Sequence, residues 1–132
     1  MCLELVIKQS KQSKHKIGPD RLSQLTGLHV QKVSNDLGSC LHFSLSGACS
    51  CDLLSKGKAQ EHDTWELDPS SVKPLIAAVD LFGKEKIGFL FRALWLNETP
   101  APPQKIKLAE LRKMIGANQI KRNVPFIVGS YS

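Results

Sequence analysis

Long apolar runs are missing from this chain. Its most apolar stretch, KIGFLFRALWL at 86–96, falls well short of the roughly 20 residues a bilayer-spanning helix needs, so no membrane partner is expected. The opening MCLELVIK contains Glu4 and is too short and too alternating for a secretory apolar core, so the expectation is a soluble cytoplasmic protein. In that compartment thiols stay mostly reduced, and the four cysteines have no obligation to pair. Catalytic signatures are missing too. There is no phosphate-cradling glycine motif, no Gly-x-Ser-x-Gly elbow, no His-Glu-x-x-His helix and no Asp-x-Asp-x-Asp-Gly calcium loop. No catalytic residue is assigned, and the reading leans away from an enzyme.

What is present suits one ordinary domain spanning 1–132. Hydrophobic residues make up 42% and charged residues 23%, which separates the chain from disordered sequences and lets it bury a core without disulfides or metal. The net charge of +6 is unevenly placed. Residues 8–16 (KQSKQSKHK) and 104–122 (QKIKLAELRKMIGANQIKR) together carry +9, leaving −3 for the rest, part of it in EHDTWELD at 61–68. A basic surface able to hold an acidic partner is therefore expected, built from Lys8, Lys11, Lys14, Lys16, Lys105, Arg112, Lys113, Lys121 and Arg122. Neither segment contains Phe, Tyr or Trp, so base-stacking platforms are absent from them.

Periodicity orders the elements. CLELVI (2–7) reads as a strand, and 8–16 as a solvated, mobile loop. GPDRLSQLTG supplies Pro19 and Asp20 as start signals, Leu22 and Leu25 three apart, and Gly27 as a stop, a helix of about two turns. LHVQKVS (28–34) is a poorly phased strand. CLHFSL (40–45) alternates cleanly, Leu41, Phe43 and Leu45 against Cys40, His42 and Ser44. Val72, Leu75, Ile76, Val79 and Phe82 recur at helical spacing, with the cap placed at Ser71 so that Pro74 falls in the first turn. The run 86–96 is a strand buried on both faces, with Gly88 marking a bulge or close packing. NETPAPPQ (97–104) is a stiff connector. A helix over 108–115, ended by Gly116, and a strand at 124–129 complete the chain. The fold class is α+β: an antiparallel or mixed sheet of about five strands with two to three helices on one face. A ferredoxin-like βαββαβ order extended by a C-terminal αβ fits these elements.

The densest chemistry lies in SCLHFSLSGACSC (39–51). A tight hairpin at Ser46-Gly47 would set His42 opposite Cys51 and gather Cys40, His42, Cys49 and Cys51 on one face, an S₃N set that zinc could bridge. A short helix from Ala48 would scatter them, because residues i and i+2 of a helix point in different directions. The spacing matches no standard zinc pattern, and Cys49-x-Cys51 misses the redox Cys-x-x-Cys by one residue. No cofactor is expected on the main reading, and zinc belongs to the alternative. The sequence thus supports a non-catalytic binding module using its basic surface on an acidic protein or nucleic acid, with a zinc-binding or thiol-redox protein as the alternative. It sets no oligomeric state.

Overall fold

The computed structural model describes residues 3–47, 49–54, 64–95, 98–121 and 123–131. The chain runs β1 (Leu3–Gln9), α1 (Pro19–Thr26), β2 (His29–Asn35), β3 (Gly38–Ser44), a 3₁₀ turn (Ser50–Leu53), β4 (Thr64–Glu66), α2 (Pro69–Lys84), β5 (Phe89–Trp95), β6 (Gln104–Lys105), α3 (Leu108–Gly116), β7 (Gln119–Lys121) and β8 (Phe126–Val128). Six strands form a mixed sheet in the order β2-β3-β1-β5-β8-β6, antiparallel except for the β6–β8 pair. β4 and β7 form a separate two-stranded ribbon. The fold is α+β, with six strands in the main sheet where about five were expected. Among the described residues no helix is long and apolar enough to cross a membrane.

One sheet face carries the main core. Leu3, Leu5 and Ile7 of β1, Leu41 and Phe43 of β3, and Phe89, Phe91 and Ala93 of β5 join Leu22 of α1, Leu75, Ala78, Val79 and Phe82 of α2, and Leu111 and Ile115 of α3 in one buried cluster. Alternation sends Glu4, Val6, Cys40, His42, Leu90, Arg92 and Leu94 to the other face, where they are also largely covered. β5 is thus buried on both sides, as its apolar run implies.

Helix boundaries follow local chemistry. α1 has Pro19 at its first position and ends at Gly27, whose φ of 74° suits a residue without a β-carbon. Leu22 is buried, but Leu25, read as its partner on the apolar face, is half exposed. α2 begins three residues before the expected start, because Asp68 is the cap and accepts from the Ser70 N–H at 2.9 Å. Pro74 consequently lies inside the helix and costs it one backbone hydrogen bond. The connector expected at 97–104 contributes its last residue to β6, whose Gln104 N–H reaches Pro125 O at 2.9 Å.

Candidate functional site

A concave site opens where β1 passes Ile7 and β3 begins. Its volume is about 510 Å³, and four lysines from separate parts of the chain line it: Lys8 at the end of β1, Lys11 and Lys16 on the following loop, and Lys32 on β2. Gly18, Gly38 and Cys40 belong to the same wall, and none of the described lining residues is acidic. Lys8 Nζ donates to Leu37 O, and Lys16 Nζ donates to Ser10 O at 2.7 Å. Each ammonium keeps two further donors. Lys11 and Lys32 are on the surface.

The loop carrying Lys11 and Lys16 is fastened rather than mobile. Gln9 clamps it through both amide atoms, Nε2 donating to Ile17 O at 2.8 Å and Oε1 accepting from the Ile17 N–H at 2.7 Å. Ser10 N–H donates to Gly88 O at 2.9 Å, and the Ile17 side chain is buried in the core. A segment without obvious apolar periodicity is thus held at its two ends by one glutamine and one isoleucine, which brings Lys11 and Lys16 to the pocket.

The two basic segments do not merge. Lys8, Lys11 and Lys16 meet at the pocket, while Lys14 is exposed and is not among its lining residues. Lys105 sits on β6 at the far edge of the sheet, beyond β5 and β8 from β1. Arg112 pairs with Asp80 at 2.9 Å, and Lys113 and Lys121 line a different concavity that also contains Glu110. Arg122 lies outside the described residues. Lys32, absent from the expected set, completes the pocket, because the β2–β3 hairpin folds it back toward β1. It is a lone charge between Gln31 and Val33 in the sequence, so no charge run marks it.

The cysteine-histidine stretch does not form the hairpin. It takes a short helical form, a 3₁₀ turn over Ser50–Leu53 with Leu53 and Leu54 buried, while Ala48 and residues 55–56 of the expected helix lie outside the described residues. The chain leaves β3 at Ser44 and turns through 45–47, where Asp52 accepts from the Leu45 N–H at 2.8 Å and the Ser46 N–H at 2.9 Å. It then enters the 3₁₀ turn with Cys49 as an extended cap. Cys40 and His42 share a face, but Cys49 and Cys51 pack at the opposite end of β1, beside Leu3. With Val6 facing His42, Cys40 lies level with Lys8, five residues or about 17 Å of strand rise from Leu3. That separation exceeds any zinc coordination shell. The expectation that i and i+2 cannot meet fails locally, since the extended backbone at Cys49 brings its sulfur within 3.0 Å of Cys51 Sγ. His62, also weighed beside these thiols, lies outside the described residues.

His42 is committed to Ser50. The Ser50 hydroxyl sits between β1 and β3, accepting from the Leu5 N–H at 2.9 Å and donating to Phe43 O at 2.5 Å. Its remaining lone pair accepts from His42 Nε2 at 3.2 Å, which assigns the proton to Nε2. Ser50 is fully buried, so this serine-histidine pair bridges strands and has no path to a substrate. Nothing in the spacing announces Ser50, which the sequence offers only as the residue between two cysteines.

Burial holds the His42 imidazole below its ordinary value, while Glu4 and Asp52 partly offset the effect. The unfolded chain therefore takes up a proton first, and stability falls as pH drops through the ordinary imidazole value toward the lower folded one. Melting measured from pH 7 to pH 5 should show a loss of at most about 1.4 kcal/mol per pH unit from this group. His42→Gln should flatten the slope; an unchanged profile would assign the acid sensitivity elsewhere.

A buried ion cluster occupies the same face. Arg92, 1% exposed, places NH1 and NH2 each 2.9 Å from an Asp36 carboxylate oxygen and NH2 3.3 Å from Glu4 Oε1. Asn35 Nδ2 donates to the same Glu4 oxygen at 2.8 Å. Two charged systems therefore lie near β1: a buried arginine paired with two carboxylates, one of them exposed, and a surface set of lysines with no carboxylate among the described lining residues. Among the described residues, no group of His, Cys, Asp and Glu is placed to hold a metal ion. No family model, curated protein or solved structure matches the chain.

Proposed function

We propose that the protein is a non-catalytic binding module that takes a phosphate-bearing anion into the lysine pocket. The supporting observation is the convergence of Lys8, Lys11, Lys16 and Lys32 on one concave lining with no carboxylate among its described residues. Lysine ammonium groups act as point charges and impose no fixed fork on their partner, which suits phosphate oxygens approaching from several directions. The lining contains no aromatic residue, so a nucleic acid would be held through its backbone rather than its bases.

Isothermal titration of the full chain with pyrophosphate, and separately with a short single-stranded oligonucleotide, tests this reading. For the oligonucleotide, log affinity against log salt should fall with a slope of about −0.7 per phosphate neutralised. Lys11→Glu combined with Lys32→Glu should lower affinity for both probes at least about tenfold at 0.1 M salt, because both residues are exposed and each reversal replaces attraction with repulsion. Lys105→Glu combined with Lys113→Glu should leave pyrophosphate binding unchanged. Equal losses from the two pairs, or no binding by the parent chain, would refute the proposal.

A further inference from the structure

Cys49 and Cys51 are arranged differently from Cys40. Cys40 is 3% exposed and its thiol faces Asn35 Oδ1 at 3.5 Å, whereas Cys49 and Cys51 are only half buried. Their sulfurs stand 3.0 Å apart, about 1 Å beyond a disulfide bond length. Both are positioned by backbone. The Leu3 N–H donates to Cys51 Sγ at 3.1 Å, the Cys51 N–H donates to Cys49 Sγ at 3.4 Å, and the Cys49 thiol faces Leu3 O at 3.5 Å. The extended conformation of Cys49, followed at once by the 3₁₀ turn, folds the two side chains toward each other across the intervening Ser50. Ser50 is itself fixed by its bonds to both neighbouring strands.

From this geometry we infer that Cys49 and Cys51 form a dithiol/disulfide couple that exchanges with small-molecule disulfides of the glutathione class. The thiolate of one cysteine attacks a sulfur of the disulfide RSSR, forming a mixed disulfide and releasing RS⁻, which takes up the proton the attacking thiol gave to solvent. The second cysteine, as thiolate, attacks the protein sulfur of that mixed disulfide and expels the other RS⁻, which is protonated in turn. Overall, two protein thiols and one RSSR become one Cys49–Cys51 disulfide and two RSH. The protein is oxidised by two electrons and the external disulfide is reduced.

The test equilibrates the full reduced chain in buffers of graded oxidised-to-reduced glutathione ratio, quenches by alkylation, and maps the peptides. The expected product is lighter than the reduced chain by two hydrogens, with the new bond inside a peptide carrying both Cys49 and Cys51. Cys40 should remain alkylatable after unfolding at every ratio, and Cys40→Ser should leave the titration unchanged. Cys51→Ser should stop at the mixed disulfide with glutathione on Cys49. Mapping of the parent chain stands alone if that variant does not fold. Persistence of both thiols across the whole range, or a bond joining either one to Cys2 or to a second chain, would overturn the inference.

Discussion

Replacing Arg92 with leucine should lower the folding free energy by about 3 kcal/mol, measured by urea unfolding at pH 7. The guanidinium lies in the middle of β5 and is essentially inaccessible to water. Leucine would fill much of the space but leave two carboxylates behind. Asp36 is well exposed and would rehydrate at little cost. Glu4 would not: its side chain is 15% exposed and would retain only Asn35 as a hydrogen-bond partner. The predicted loss therefore sits at the low end of the range for breaking a buried pair. Glu4→Gln in the Arg92→Leu background should recover at least about 1 kcal/mol, since the amide does not need a buried countercharge.

Acid should narrow the difference between parent and variant. The bidentate bond from Arg92 holds the Asp36 carboxyl below its ordinary range, against a smaller opposing effect of burial. Its contribution is thus complete above the ordinary carboxylate value and is lost as pH falls through the lower folded one. A gap that stays constant to pH 2 would mean that Asp36 does not stabilise the guanidinium, and an unchanged urea midpoint would mean that the cluster as a whole contributes nothing.

Gly88→Ala should cost about 2–3 kcal/mol, the upper part of the roughly 1–3 kcal/mol that forcing an extra methyl into a packed interior typically costs. A β-carbon at Gly88 would stand 2.1 Å from Ser130 O, 2.3 Å from Ser130 C and 2.8 Å from Tyr131 N. These are backbone atoms, so no side-chain rotation relieves the contact. The tail reaches this position because Gly129, with a φ of 71°, turns the chain back after β8. Gly88 has little freedom to retreat, since its carbonyl accepts from the Ser10 N–H. Thermal melting of the four-chain set settles the cause: in a chain ending at Val128 the obstructing backbone is gone, and the alanine penalty should fall below about 0.5 kcal/mol. A penalty of full size in the shortened chain would locate the strain elsewhere.

The elements visible in the sequence were those whose signals are local. Pro19 and Gly27 bracket α1, and the run 86–96 marks a strand covered on both faces, each through its own backbone or burial preference. Gly116, by contrast, read as the stop of α3, is its last helical residue, and the left-handed turn comes at Asn118. What stayed hidden depends on distant partners. β6 is two residues long and exists because Ile127 and Pro125 offer it backbone acceptors. The start of α2 was misplaced because the cap was set at Ser71 to keep Pro74 in the first turn, whereas Asp68 caps the helix and Pro74 lies inside it. Arg92 was hidden inside an apolar run, since only the strand order brings Glu4 and the Asp36 turn beside it. Likewise, three of the four pocket lysines, Lys8, Lys11 and Lys16, were visible as a charge run at 8–16. Lys32 and the clamp by Gln9 came only with the tertiary fold.

The position of β1 bears on how the chain is made. It is the first strand in the sequence, yet all seven of its pairings to β5 join residues some 80 to 90 positions apart, from Gln9 with Phe89 to Leu3 with Trp95. At ribosomal rates of about 5–20 residues per second, β1 waits several seconds for that partner to emerge. Meanwhile β2 and β3 can close as a local hairpin and offer β1 a first edge at Ile7 and Leu41. The other edge of β1 stays open until β5 emerges. Long-range pairing of this kind makes for slow folding and an exposed intermediate, so the vulnerable period of this protein falls between the synthesis of β1 and the emergence of β5.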